Sequence, residues 1–130
     1  MSHRGYKETY PENTILSIED AKKYGFQWVE IDLVSTKDKV VVCSHNLDLE
    51  TETNGVGYIY NRSYDQIKVL HTGINSHSNN IQRIPRLKDV FFKFSNDMKY
   101  NLEIKTKSIL DLTTVKSTVS LAEQMRIKEY

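Results

Sequence analysis

The chain has little of what most often announces a protein class. One cysteine, Cys43, in 130 residues excludes an internal disulfide framework and fits a reducing compartment, so the cytoplasm is the expected location. With two prolines and five glycines there is no low-complexity segment, and no internal repeat is visible. Neither sign of charge is in excess: 18 Lys and Arg stand against 17 Asp and Glu, a net charge of +1. Such a balance points to neither nucleic acid nor a lipid surface as partner. No apolar run nears the roughly 18 residues of a transmembrane segment, and no signal-peptide core follows Met1.

What is present reads as one alternating α/β unit. In "NTILSIEDAKKYG", Asn13 or Thr14 is placed to cap a helix, Ile15, Ile18 and Ala21 recur at helical spacing, and Gly25 is a stop. "QWVEIDLV" and "KVVVCSH" read as strands with a turn at Asp38–Lys39 between them. The Val-rich second run suits a strand covered on both faces, as in parallel α/β sheets. From Leu47 to Ile84 the periodicity dissolves into polar insertion, with one short helix expected in "SYDQIKVL". "IPRLKDVFFKF" places Pro85 at a first helical turn and Leu87, Val90, Phe91 and Phe94 on one stripe. "YNLEIK" reads as a third strand. "DLTTVKSTVSLAEQM" reads as a last helix with Leu112, Val115, Val119 and Ala122 in register.

The strand parity carries the chemistry. Alternate side chains share a face, so Glu30 and Asp32 are neighbours while Val29, Ile31 and Leu33 point the other way. Their Cα atoms should lie roughly 6.5 Å apart, close enough for both carboxylates to reach one hard cation. Glu103 and Lys105 pair in the same manner opposite Leu102 and Ile104. His45 sits where the Val-rich strand hands over to its loop. Taken singly, an E-x-D or E-x-K strand is more often a solvated face, and a strand-end histidine more often structural. Their conjunction, each opposite apolar residues, favours a site, and an oxygen-only donor set favours Mg²⁺ or Ca²⁺ over Zn²⁺.

These pieces occur in a particular order: "HRG", "PENT", a helix closing in "YG", "VEIDL", "KVVVCSHN", "TNGVGYI", "IPRLKDVF" and "NLEIK". In that order and at those spacings the sequence resembles the glycerophosphodiester phosphodiesterase family from His3 to about Lys105. The resemblance implies a TIM (β/α)₈ barrel with its site at the C-terminal strand ends. It also implies a divalent cation, and hydrolysis of a small glycerophosphodiester to glycerol 3-phosphate and an alcohol. By the same resemblance His3 and His45 are the catalytic acid/base pair, Arg4 and Lys105 bind the substrate phosphate, and Glu30, Asp32 and Glu103 are the metal ligands. Two local departures stand out. Asn46 follows the second histidine where the family has aspartate, and "LETET" brings negative charge where a basic residue is usual.

A (β/α)₈ barrel takes about 250 residues, so 130 residues imply a partial barrel, about half, over 1–130, with the polar insertion at about 47–84. An open sheet edge leaves backbone groups unpaired, and self-association through such edges is expected. Two other readings stay open: an inactive remnant or interaction module on the same scaffold, and a phosphodiesterase cleaving lysophospholipid headgroups.

Overall fold

Everything in the main sheet is referred to one strand. A computed structural model describes residues 1–130. In chain order its elements are β1 (Ser2–His3), α1 (Ile15–Lys23), β2 (Trp28–Ser35), β3 (Val41–Cys43), α2 (Tyr64–Ile67), β4 (His71–Thr72), β5 (Gln82–Arg83), α3 (Leu87–Phe94), β6 (Lys99–Ile104) and α4 (Thr113–Gln124). β2 is the centre. β6 runs parallel along one edge from Trp28 to Leu33, with Asp32 opposite Glu103. The other edge is shared: β1 pairs in parallel with Val29 and Glu30, and β3 pairs antiparallel with Leu33 to Ser35.

The antiparallel β3 corrects the expectation of a parallel neighbour. The turn at Lys37–Asp38 closes a hairpin, Lys39 taking a positive φ of 64° and donating its N–H to the Thr36 carbonyl at 3.0 Å. A hairpin can only return antiparallel. Between the end of β1 and the end of β3 the edge of β2 is held by single bonds, from Arg4 N–H to the Glu30 carbonyl (2.9 Å) and from Ser44 N–H to the Asp32 carbonyl (3.0 Å). Two chain segments therefore peel away from β2 at the level of its carboxylates.

One face of β2 makes the core. Val29, Ile31 and Leu33 are fully buried against Ile18 of α1, Leu87, Val90, Phe91 and Phe94 of α3, and Ala122 of α4. Each such side chain is worth about 1.5–3 kcal/mol. Tyr100 of β6 meets the Phe91 ring edge-on, centroids 5.0 Å apart. α1 starts where the sequence places it. Thr14 Oγ1 accepts from Ser17 N–H (3.3 Å), Ser17 Oγ accepts from Thr14 N–H (3.2 Å), and Gly25 with φ 82° ends the run.

Three other expectations change. Pro85 lies before α3, not in it: its carbonyl accepts from Cys43 N–H at 2.9 Å, extending the β3 ladder, and Arg86 takes the N-cap position with its guanidinium on Asp89. α4 docks through Thr114, Thr118 and Ala122, whereas Leu112, Val115 and Val119 are 52%, 39% and 38% exposed. Small side chains let that helix lie close to the sheet, and the branched line turns outward. Residues 47–84 have a core of their own. Leu49, Ile59, Ile67 and Ile84 close on Val34 and Val42, with the short β4–β5 pair beside them. Four apolar residues spread that widely leave no periodic trace.

The sheet does not close. β1 and β6 each pair only with β2, and the outer side of β6 is met by the chain end through Tyr100 N–H to the Glu129 carbonyl (3.1 Å). The architecture is an open, partial (β/α)₈ barrel. No helix is long and apolar enough to cross a membrane.

Candidate active site

The gap along β2 is where the charged residues gather. The face opposite the core carries Glu30 and Asp32, both buried, and Glu103 on β6 comes beside them; one carboxylate oxygen from each lies within 4.8 Å of the others. His3 arrives at the end of β1 and His45 two residues beyond β3, one from each side of the gap. His3 Nε2 is 3.6 Å from Glu30 Oε2, and His45 Nδ1 is 3.4 Å from Asp32 Oδ2.

A tight turn delivers the first of these. Arg4 and Gly5 have φ of 61° and 83°. A Cβ on Gly5 would come within 2.3 Å of Ser17 Oγ and 2.7 Å of the Ser17 carbonyl carbon, so only glycine lets the chain pass under α1. The left-handed Arg4 is fixed by its N–H, which donates to both the carbonyl and the Oε2 of Glu30 (2.9 and 3.1 Å). Its guanidinium spans Asp32 Oδ2 (2.9 Å) and Glu12 Oε2 (3.1 Å).

Asp32 is the electrostatic hub. Asn13 donates from Nδ2 to Asp32 Oδ2 and accepts the Asp32 N–H at Oδ1, both at 3.0 Å. Lys105 Nζ lies 3.4 Å from Asp32 Oδ1 and bonds Glu103 as well. Burial pushes the Asp32 carboxyl up, but the Asn13 bond and the charges of Arg4, Lys105 and His45 outweigh it and hold the group below its ordinary value. Glu30 lacks that company. Burial and the neighbouring Asp32 charge raise its carboxyl to about 7, against one Arg4 N–H. Its Oε1 is buried with no hydrogen-bond partner. A buried, unpartnered carboxylate oxygen facing two further carboxylates fits a hard divalent cation, for which Glu30, Asp32 and Glu103 supply the oxygens.

Every site residue expected from the sequence is therefore found around this gap. Of the two cap candidates, Thr14 caps α1, while Asn13, at a left-handed φ of 58°, is given to Asp32 and Glu12 to Arg4. Asn46 lines the crevice next to His45, its backbone carbonyl accepting from Ser44 Oγ (2.9 Å), and the carboxylate facing His45 Nδ1 is that of Asp32. Of the acidic "LETET" stretch, Glu52 lines a small crevice with His45 and Glu12, whereas Glu50 binds Gly57 N–H. Cys43 is buried packing, burial pushing its thiol far up. Trp28 lies at the far end of β2 with Lys99 Nζ 5.6 Å above its ring, away from the carboxylates. His77 is tied to Ser76 and to the Lys7 carbonyl.

Known proteins resemble this chain in sequence and in fold. Residues 3–129 match the model of the "Glycerophosphoryl diester phosphodiesterase family". A glycerophosphodiester phosphodiesterase of Caldanaerobacter subterraneus is 34% identical over 112 residues, 85% of this chain and 46% of that protein. A phosphodiesterase of Oleispira antarctica, solved in complex with the product sn-glycerol-3-phosphate, superposes with a TM-score of 0.86 at 31% identity. That match covers 95% of this chain and 51% of the other. A glycerophosphodiester phosphodiesterase structure from Agrobacterium tumefaciens gives the same TM-score at 23% identity over 97% of this chain and 52% of its own, a likeness of fold. The chain spans about half the length of each of these three proteins.

Proposed function

Because the chain belongs to the glycerophosphoryl diester phosphodiesterase family, we propose that it carries the hydrolytic centre for glycerophosphodiesters, releasing glycerol 3-phosphate and an alcohol. The observation that carries this reading is the meeting of three carboxylates between two histidines that reach them from separate strands. Residues 1–130 act on this reading as one unit, the 47–84 segment included. A free, buried Cys43 suits a reducing compartment such as the cytoplasm.

Glu30, Asp32 and Glu103 would hold Mg²⁺ or Ca²⁺, which supplies charge withdrawal from the phosphoryl oxygens. The protein's own residues divide the remaining tasks. Arg4 offers a planar fork of donors to the phosphate, and Lys105 a point charge beside it. Asn13 and Glu12 fix Asp32 and Arg4, so that neither swings when substrate arrives. His3 and His45, on opposite sides of the carboxylates, exchange the protons: one withdraws a proton from the attacking oxygen and the other gives one to the departing alcohol. The Asp32 carboxylate, 3.4 Å from Nδ1 of His45, suits the Nδ1–H tautomer and leaves Nε2 for the reaction.

The test is release of glycerol 3-phosphate from glycerophosphocholine, with and without Mg²⁺ or Ca²⁺, in folded protein. Cation-dependent release abolished by His45→Ala supports the reading; none at all, with cation bound, favours the second reading, an inactive scaffold. One observation speaks for that alternative: β1 and β6 pair with β2 but not with each other, so the sheet does not close around the site and positioning suffers. Lysophosphatidylcholine in the same assay separates headgroup cleavage. The edges of that sheet are the proposed route to self-association, which sedimentation at increasing concentration reads directly.

A further inference from the structure

A groove of about 480 Å³ lies behind Lys105, between the end of β2, the 105–111 loop and the start of α4. Lys37, Lys39, Lys105 and Lys107 line it, against a single acid, Asp111. Lys105 is committed to Asp32 and Glu103, but Lys37, Lys39 and Lys107 have no carboxylate within 4 Å. Lys107 is held over the Tyr60 ring, Nζ 5.4 Å from its centroid. Unpaired surface lysines alone would mean little. Two further features share the groove.

One is the N-terminus of α4, a 12-residue helix whose N-cap, Leu112, offers no side-chain bond. Asp111 Oδ1 accepts from Thr113 N–H (3.0 Å), and no side chain caps the next two N–H groups. Those free donors and the helix dipole favour an anion. The other is Ser35. Its residue is 7% exposed and lines the groove, yet its Oγ has no hydrogen-bond partner. A buried hydroxyl left without a partner is unfavourable, and a bound acceptor removes that penalty.

We propose that this groove is a second anion site, distinct from the carboxylate cluster, that takes a phosphate-type group. Ser35 Oγ donates one hydrogen bond, the first turn of α4 donates from the backbone, and Lys37, Lys39 and Lys107 balance the charge. Because Lys105 lines the groove and also contacts Asp32, the anion has two natural sources. It is either free phosphate or a phosphomonoester on the alcohol arm of a substrate at the cluster. A cationic alcohol such as choline is repelled from it.

The experiment is amide-resolved NMR titration of the whole chain with a chelator present and ionic strength held with chloride, so that cation-bridged binding at the carboxylates is silent. The ligands are inorganic phosphate, glycerophosphocholine, and a glycerophosphodiester whose alcohol bears a phosphomonoester. Saturable shifts at Ser35, Thr113 and Thr114 with phosphate, weakened at least about fivefold in Lys37→Gln/Lys107→Gln, support the site. Equal affinity for phosphate and the phosphomonoester compound assigns it to the free ion; tenfold tighter binding of the latter assigns it to a substrate arm. Shifts confined to His3, Arg4 and Lys105, no saturable shift, or a double variant that binds as wild type overturns it. The unmodified chain alone decides the location, so the outcome does not depend on the variant's folding. Because no turnover is measured, failure here and failure of the hydrolytic reading are separate results.

Discussion

Two regions of this molecule invert the usual placement of side chains. At the centre of β2, Glu30 and Asp32 are buried, Asp32 among polar partners and Glu30 with one oxygen unpartnered. Along α4 and the loop before it, Ile109, Leu110 and Leu112 are exposed, with Val115 and Val119 partly so. Burying a carboxylate is expensive unless it is paired, and exposing a few apolar side chains is ordinary. The first inversion therefore demands an explanation that the second does not. The buried carboxylates are held by an apparatus of Arg4, Asn13, Lys105 and His45, none of which packs the core. That apparatus is the structural cost of a reactive centre. The exposed line faces water, where it has little to contribute to holding the fold.

The sharpest way to break the comparison is at Asp32. Asp32→Asn leaves Arg4 and Lys105 facing a neutral amide in a buried place. Removing one partner of such a pair typically costs about 3–5 kcal/mol. For a chain of this length the melting temperature should fall on the order of 10 °C or more. A change of only a degree or two would mean that the hub is solvated and the burial argument fails. Glu30→Gln makes the contrast within the same strand. Glu30 is strained by its neighbours, so the metal-free variant should be as stable as wild type or more so. Its Mg²⁺ affinity should fall by more than the ~10–100-fold that outer-shell changes produce. Calorimetric titration checks this, and unchanged affinity would remove Glu30 from the ligand set.

Next in size is Gly5→Ala, where a positive φ and the approach to Ser17 predict a loss of about 1–3 kcal/mol, read by urea denaturation. The effect should be coupled to Ser17→Gly, which removes part of the obstruction.

Much of the central region was legible because strand parity is a two-residue code. Once Val29, Ile31 and Leu33 are assigned to the core, Glu30 and Asp32 have only one other face to occupy. Glu103 follows by the same rule, but its nearness to Asp32 depends on the register between β2 and β6, which comes from pairing between strands some 70 residues apart and not from local pattern. The hairpin direction of β3, the Pro85 carbonyl that extends it, and the scattered core of Leu49, Ile59, Ile67 and Ile84 are of the same kind. α4 misled for a different reason. Helical spacing identified an apolar line correctly, but the sheet prefers the line that allows closer approach, and Thr114, Thr118 and Ala122 are smaller.

pH offers a finer test of the buried pair. The Glu30 carboxyl is raised from its ordinary 4.5 to about 7. Its contribution to stability is therefore fully present below about 4.5 and lost as pH rises through 7. Asp32, held low, has the opposite sign, its contribution being lost only as pH falls through its lowered value. Since a cation competes with the Glu30 proton, Mg²⁺ should raise the melting temperature more at pH 8 than at pH 5.5. An equal shift at both would detach the Glu30 titration from cation binding.

The smallest effects belong to the outer region, and there the expectation is a near-null result with one exception. Leu112→Ser with Val119→Ser removes apolar groups that already face water, so stability should change by no more than about 0.5 kcal/mol. If the exposed flank and the open β6 edge together bring chains into contact, the same pair of substitutions should shift the sedimentation of concentrated protein toward the monomer. A large loss of stability in the monomer would show instead that this line packs against the fold, and the contrast between a costly interior and an idle flank would disappear.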